Sequence, residues 1–299
     1  MDLSVIQSDI DSCRLLDVKT QESFYHKIVA RYRQLCMNHS KDLDEAFATL
    51  SLDDSTSDVF ALEEIHPSTV SPTPFPQHRE STTGTPPPST ELSNLLLALR
   101  KLREGLLATS STAPSPVFSQ RVHVFNIRLA ILARHPPSYH PSLLHLLVAL
   151  HTPEFPLPRS ELAEMTAYLI LDMATRQGDL GRAYTLRSNS RTRFDFSNRN
   201  VDAILRSLVT NDWVTFWRIY RKVDGYTRAM LHWHLDRQRK MALEAIARSY
   251  MTCDIKWIVQ STTGNEMSWE ELVAAEDISW LRDGDRAIIR KPKAKRAAG

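Results

Sequence analysis

Gly178-Asp179-Leu180-Gly181-Arg182-Ala183-Tyr184 is followed 33 residues later by Asn211-Asp212-Trp213-Val214-Thr215-Phe216-Trp217. Each stretch falls at a break between two segments of helical periodicity. Gly or Asn at such a break can take the left-handed backbone that ends one helix, and the Asp that follows can cap the next. This period and turn chemistry predict helical hairpins of the tetratricopeptide kind, which stack because neither pair buries its apolar face alone. Gly178 and Gly181 also match the GxxG of a KH domain, but that grip needs flanking strands, and none are predicted.

Downstream of the second copy, residues 227–250 predict one long helix. Leu231, Leu235, Gln238, Ala242, Ala245 and Ser249 form its seam, with small residues at the end where another backbone can approach. Ile255, Trp257 and Val259 alternate like a short strand. Ser268-Trp269-Glu270-Glu271 is a capping box, and Asp283-Gly284 between Ile278–Leu281 and Ala287–Ile289 is a hairpin turn. Helix, strand, helix and hairpin in that order predict a winged helix.

Upstream, Phe24, Ile28, Tyr32 and Leu35 mark one face of a helix over residues 20–37. Residues 41–64 are acidic, with a short amphipathic piece over 46–52, and residues 67–90 carry seven prolines among many Ser and Thr, a composition that packs no core. The folded body opens at Ser89 or Thr90 with Leu92, Leu95, Leu96, Leu99, Leu102 and Leu106 on one face and Arg100, Lys101 and Arg103 on the other. Val122, Phe125, Leu129 and Leu132 mark a second helix that Pro136-Pro137 ends. Residues 142–150 are apolar almost all round and predict a central helix. Leu162, Met165, Leu169 and Met173 face inward from a fourth, after Ser160. The expected organisation is an acidic arm (1–66) with one or two helices, a linker (67–90), a helical-repeat body (91–226), a long helix with the winged helix (227–290) and a basic tail (291–299). The expected class is mainly α, helical hairpins followed by a winged helix.

The 299 residues suffice for a sizeable core, and 42% hydrophobic content is that of a folded domain. Only 8 glycines argue against a nucleotide-binding α/β enzyme. Cys13, Cys36 and Cys253 make no CxxC, zinc spacing or disulfide framework, which fits a reducing compartment. The start Met1-Asp2-Leu3-Ser4 lacks a signal-peptide pattern, and no run approaches the ~20 apolar residues of a membrane helix. Charge is uneven: residues 1–90 carry net −7 and residues 91–299 net +9, within a total of +2. Either the basic part meets something anionic, or the acidic segment folds back on it.

Catalytic patterns are missing. No nucleophile elbow and no P-loop occur. His232 and His234, with Asp236, stand two apart on a helix, so they point about 200° from each other and cannot chelate one ion. His135, His140, His145 and His151 read as surface or core histidines. Trp213, Phe216, Trp217 and Tyr220 lie at core spacing, although aromatics also stack on bases. The expectation is no catalytic residue, no metal, no cofactor and no small-molecule substrate. The one candidate site is basic: Arg286, Arg290, Lys291, Lys293, Lys295 and Arg296 put six cations in eleven residues with no acid. A wing can lay such cations on a phosphate backbone. Arg237, Arg239 and Lys240 would extend the patch if they share its side. Lys291-Pro292-Lys293-Ala294-Lys295-Arg296 also reads as a nuclear-import signal.

Helical repeats running into a winged helix resemble the PCI domain of proteasome-lid, signalosome and translation-initiation subunits. The likeness is greatest to the GANP-type branch, whose members scaffold messenger RNA export. It rests on Glu91-Leu92-Ser93 through Leu99-Arg100-Lys101-Leu102-Arg103-Glu104, Tyr139-His140-Pro141 through Leu146-Leu147, Asn211 through Tyr220, and Arg237 to Tyr250, and covers roughly residues 90–290. The long regions that large family members carry for export receptors have no counterpart within these 299 residues. The resemblance implies a non-enzymatic nuclear scaffold in messenger RNA processing or export, holding a PCI-type or helical partner and binding RNA weakly without sequence preference. Trp257, Trp269 and Trp280 are its candidate partner anchors and equally candidates for the winged-helix core. The alternative is a structural subunit of a proteasome-lid, signalosome or initiation complex that binds no RNA.

Overall fold

The structure, a computed structural model, describes residues 13–38, 88–109 and 116–290, and is mainly helical. The acidic segment 41–64 and almost all of the proline-rich stretch 67–90 lie outside the described residues. The chain divides into two compact units between Phe155 and Pro156.

In the first unit a 3-10 turn (Cys13–Leu16) leads into α1 (Val18–Asn38), followed by α2 (Pro88–Ala108), α3 (Pro116–Leu132) and α4 (Pro136–His145). α1 buries Phe24, Tyr25, Ile28 and Leu35, and α2 buries all six of its seam leucines. The sequence placed α1 in an arm outside the body. It packs on α2 instead: Arg31 Nη2 donates to Glu91 Oε1 at 2.6 Å, and Gln21 Nε2 donates to Thr109 Oγ1 at 3.0 Å. Arg103, expected on the solvent face of α2, donates to Ser142 Oγ of α4 at 2.5 Å. Pro136-Pro137 ends α3 and also opens α4, where missing N–H groups cost nothing. The apolar stretch expected to be central runs from α4 into a π-helical turn (Leu146–Leu150), and leaves Leu144 and Val148 exposed.

The same unit buries a histidine without an acid to charge it. His123 on α3 lies 4.9 Å from His145, ring centre to ring centre, and its Nδ1 has no hydrogen-bond partner among the described residues. Burial, then His145, then Arg103 push its pKa down to about 3. Above pH ~6.5 folded and unfolded chains both hold the ring neutral, so stability is complete. Below it the unfolded chain takes up a proton that the folded one refuses until about pH 3, so stability falls as pH falls. The expected loss is up to about 1.4 kcal/mol per pH unit. His123→Leu should lose roughly 2–3 kcal/mol less than wild type between pH 6.5 and 4.5 in urea melts. Parallel pH profiles would remove His123 as the cause.

The second unit comprises α5 (Arg159–Thr175), α6 (Leu180–Phe194), α7 (Arg199–Thr210), α8 (Trp213–Tyr220), α9 (Gly225–His232), α10 (Leu235–Ser249), β1 (Thr252–Asp254), α11 (Ile255–Thr263), α12 (Trp269–Glu276), β2 (Leu281–Asp283) and β3 (Arg286–Ile288). α5 is its central helix, buried from Met165 through Thr175. The two echoed turns join α5 to α6 and α7 to α8. Gly178 and Asn211 take φ of +69° and +53°, and Asp179 and Asp212 accept from Arg182 N and Thr215 N at 2.9 and 3.0 Å. Phe216, Trp217 and Tyr220 are core residues, as their spacing predicts, with Trp213 half-buried.

The expected long helix is two. It breaks at Trp233–His234, where the buried His234 donates its N–H to Leu231 O, one turn back in 3-10 fashion. Residues 255–259 are helix, not strand. Asp254 caps α11 by accepting from Trp257 N at 3.0 Å, and Ile255 and Ile258 are the buried pair, at helical spacing. The strand is the preceding Thr252–Asp254. It joins β3 and β2 in an antiparallel sheet of order β1-β3-β2, and Asp283 pairs with Arg286 across a two-residue turn. The capping box is present in both directions: Glu271 N donates to Ser268 Oγ at 3.2 Å and Ser268 N to Glu271 Oε2 at 2.7 Å. Leu243, Ile246, Cys253, Ile255, Ile258, Trp269, Leu272 and Ala287 form one core under the sheet.

Candidate nucleic-acid interface

α10 gives way to β1 at Tyr250, whose extended backbone (φ −118°, ψ 149°) turns its ring outward. The Asp254 cap starts α11 so that Trp257 faces the same solvent. The rings meet edge to face at 5.4 Å, with Tyr250 45% and Trp257 38% exposed. Met251, equally exposed as Tyr250, adjoins them in sequence. An aromatic pair left in water at a strand entry is costly to keep unless something covers it.

Cations converge on this corner. β3 lies beside β1, opposing Arg286 to Asp254, and Arg286 Nη2 reaches Thr252 Oγ1 at 3.5 Å. The backbone N–H groups of Ile289 and Arg290 both donate to Met251 O, at 2.8 and 3.2 Å. Arg290 Nη2 donates to Arg248 O at 2.5 Å, satisfying one of the last carbonyls of α10. The chain therefore leaves Arg290 beside Tyr250 and Met251, and Lys256 is exposed next to Trp257. Arg248 pairs with Glu244 at 3.1 Å, but both are exposed, so that pairing is worth under about 1 kcal/mol. Planar rings beside unburied guanidinium groups can stack a base and hold its phosphates.

The other candidates scatter. Lys291, Lys293, Lys295 and Arg296 lie outside the described residues. Arg239 is an internal strut: 15% exposed, it donates to Glu276 of α12 at 2.9 Å and pairs with Asp236 at 3.1 Å. Lys240 faces a groove with Glu244 and Glu276. Arg237 is exposed near buried His234, whose pKa burial first and Arg237 second lower to about 4. At 1.5 Å per residue these three start about 12–17 Å up the helix from Arg248, so they do not extend the cluster at Arg286 and Arg290. Of the three candidate anchors, Trp269 fills the core and Trp280 packs half-buried against it, because the capping box turns Trp269 under the sheet. Only Trp257 is exposed. Tyr250, the last residue of the predicted long helix, carries no functional role in the sequence pattern. The signal was its place between that helix and the next strand, where neither element can bury it.

Among the described residues no group of three or more His, Cys, Asp or Glu is arranged to hold a metal ion, and no helix is long and apolar enough to cross a membrane. Compared with known protein families the chain matches no family model, and it matches no curated protein.

Proposed function

We propose that this chain is a non-enzymatic scaffold subunit of a nuclear complex in messenger RNA processing or export. In this reading it has PCI-type architecture, with tetratricopeptide-like hairpins and a C-terminal winged helix. The order α10, β1, α11, α12, β2, β3 and the sheet order β1-β3-β2 support the winged helix. Arg286 and Arg290 then belong to its wing strand and the exit from it. The observation that carries the functional reading is the exposed Tyr250–Trp257 pair beside Arg290. The rings stack bases without sequence preference while the cations neutralise phosphates, and a PCI-type or helical partner covers another face of the same unit.

The test is gentle purification of the tagged full-length chain from its native cells, with and without nuclease, followed by mass spectrometry. Processing or export factors with an RNA-dependent fraction are expected. That fraction should drop in a Trp257→Ala variant, since a stacked base is worth about 1–3 kcal/mol. A stoichiometric set of proteasome, signalosome or initiation subunits, indifferent to nuclease, would overturn this reading in favour of a purely structural subunit.

A further inference from the structure

α6 is unusual for a helix inside a packed unit. Of its fifteen residues only Ala183 and Ser190 are buried, and residues 180–194 contain four arginines and no acid. It returns through a short turn into α7, and short turns join antiparallel neighbours. One contact fixes how the two helices face each other: Arg187 donates to both carboxylate oxygens of Asp202, at 2.8 and 2.7 Å. Residues three or four away from this pair lie on the same surface.

One turn toward the connecting loop stand Arg191 on α6 and Arg199 on α7. One turn the other way stand Tyr184 and Arg206. Arg191, Arg199 and Arg206 are exposed, and none has a carboxylate partner among the described residues. Tyr184 is 39% exposed and lies close enough to Arg187 for the two to interact electrostatically. The hairpin thus carries a ladder of four guanidinium groups with two acids, Asp202 held by Arg187 and Asp195 in the connecting loop paired with Arg159 at 3.2 Å, so the cations outnumber the acids and both acids are already engaged. Like charges set one turn either side of a rigid fork–fork pair repel unless an anion sits among them.

We infer that the α6–α7 hairpin is a second anion-binding surface, and that its ligand is the phosphate backbone of single-stranded RNA. Arg182, Ser188, Asn189 and Arg193 are also exposed on α6, as are Thr185 and Thr192, whose hydroxyls donate to Gly181 O and Ser188 O within the helix. Hydroxyl and amide groups beside arginines are the groups that contact phosphate and sugar. A protein partner would call for a broad apolar centre, and this face offers only the Tyr184 ring and the isolated Val209, one turn beyond Arg206. Tyr184 supplies one stacking surface next to the guanidinium row. The surface shares no residue with the Tyr250–Trp257 corner and stands or falls separately from it.

The experiment uses the full chain and a fluorescein-labelled 20-nucleotide oligouridine, with anisotropy titrations across a salt series. The hairpin variant is Arg191→Ala/Arg199→Ala/Arg206→Ala, which keeps the Arg187–Asp202 bond and buried residues intact. A matched Arg286→Ala/Arg290→Ala variant reports on the other corner. Loss of three phosphate contacts should lower the slope of log affinity against log salt by about 2, and weaken binding at low salt at least roughly tenfold. The Arg→Lys triple variant should keep most of the slope, and all variants should melt with wild type. Unchanged slope and affinity in the hairpin variant would overturn the inference, whatever protein partner that variant loses. Loss confined to the Arg286/Arg290 variant would overturn it while sparing the proposed function.

Discussion

Gly264→Ala is expected to destabilise the second unit by about 2–5 kcal/mol. Gly264 ends α11 with φ of +65°, and an added Cβ would stand 2.5 Å from Trp217 Cε3 and 2.9 Å from Cδ2. The left-handed conformation alone costs a residue with a Cβ about 1–2 kcal/mol. The clash adds about 1–3 kcal/mol, because Trp217 is 3% exposed and has nowhere to retreat. The ring is already held edge-on by Phe216 at 5.5 Å and by Tyr220 at 5.4 Å. The melting temperature should fall by roughly 5–20 °C. Gly284→Ala is the control: its φ is +57° and a Cβ there meets nothing within 4 Å, so it should lose only the conformational part, about 1–2 kcal/mol. Equal losses for the two variants would mean that Trp217 does not press on α11.

This contact also marks how far the sequence could be read. The echoed turns were legible because a left-handed residue followed by a capping Asp is local chemistry, and both turns form as their residues dictate. The Ser268 capping box and the Asp283-Gly284 hairpin were legible for the same reason. Of the predicted seam Leu231, Leu235, Gln238 and Ala242 are buried, whereas Ala245 is half-buried, Ser249 is exposed, and Leu243 and Ile246 are buried in their place. The break at His234 left no trace because periodicity survives a tight 3-10 turn almost unshifted. Ile255 to Val259 was misread since five residues cannot separate alternation from a helix that buries positions one and four. The deciding signal was Asp254, a cap residue directly ahead. Gly264 against Trp217 was invisible, being a contact between α8 and α11 that no local pattern announces. At the candidate interface the cations were legible as composition. Which of them are free was not: Arg239 and Arg286 look alike in sequence, yet one is locked to Glu276 and the other faces solvent.

The same limit explains the N-terminal helix. Arg31 lies 60 residues before Glu91, beyond an acidic and a proline-rich stretch, so the sequence assigned them to separate regions. Their bridge closes at 2.6 Å with side chains 17% and 4% exposed, so the buried Glu91 side chain takes its ion-pair partner from α1. Arg31→Met is therefore expected to cost about 3–5 kcal/mol, the penalty of stranding a buried carboxylate. Truncating a surface arginine on a detached arm would cost under about 0.5 kcal/mol. Arg31→Met/Glu91→Leu should recover most of the loss, since a buried pair replaced by packed apolar groups is often neutral. Urea denaturation of wild type, single and double variants measures the coupling directly. A single-variant loss below about 0.5 kcal/mol would detach α1 from the body. A large loss that the double variant does not relieve would place the cost in the arginine's packing and not in its charge.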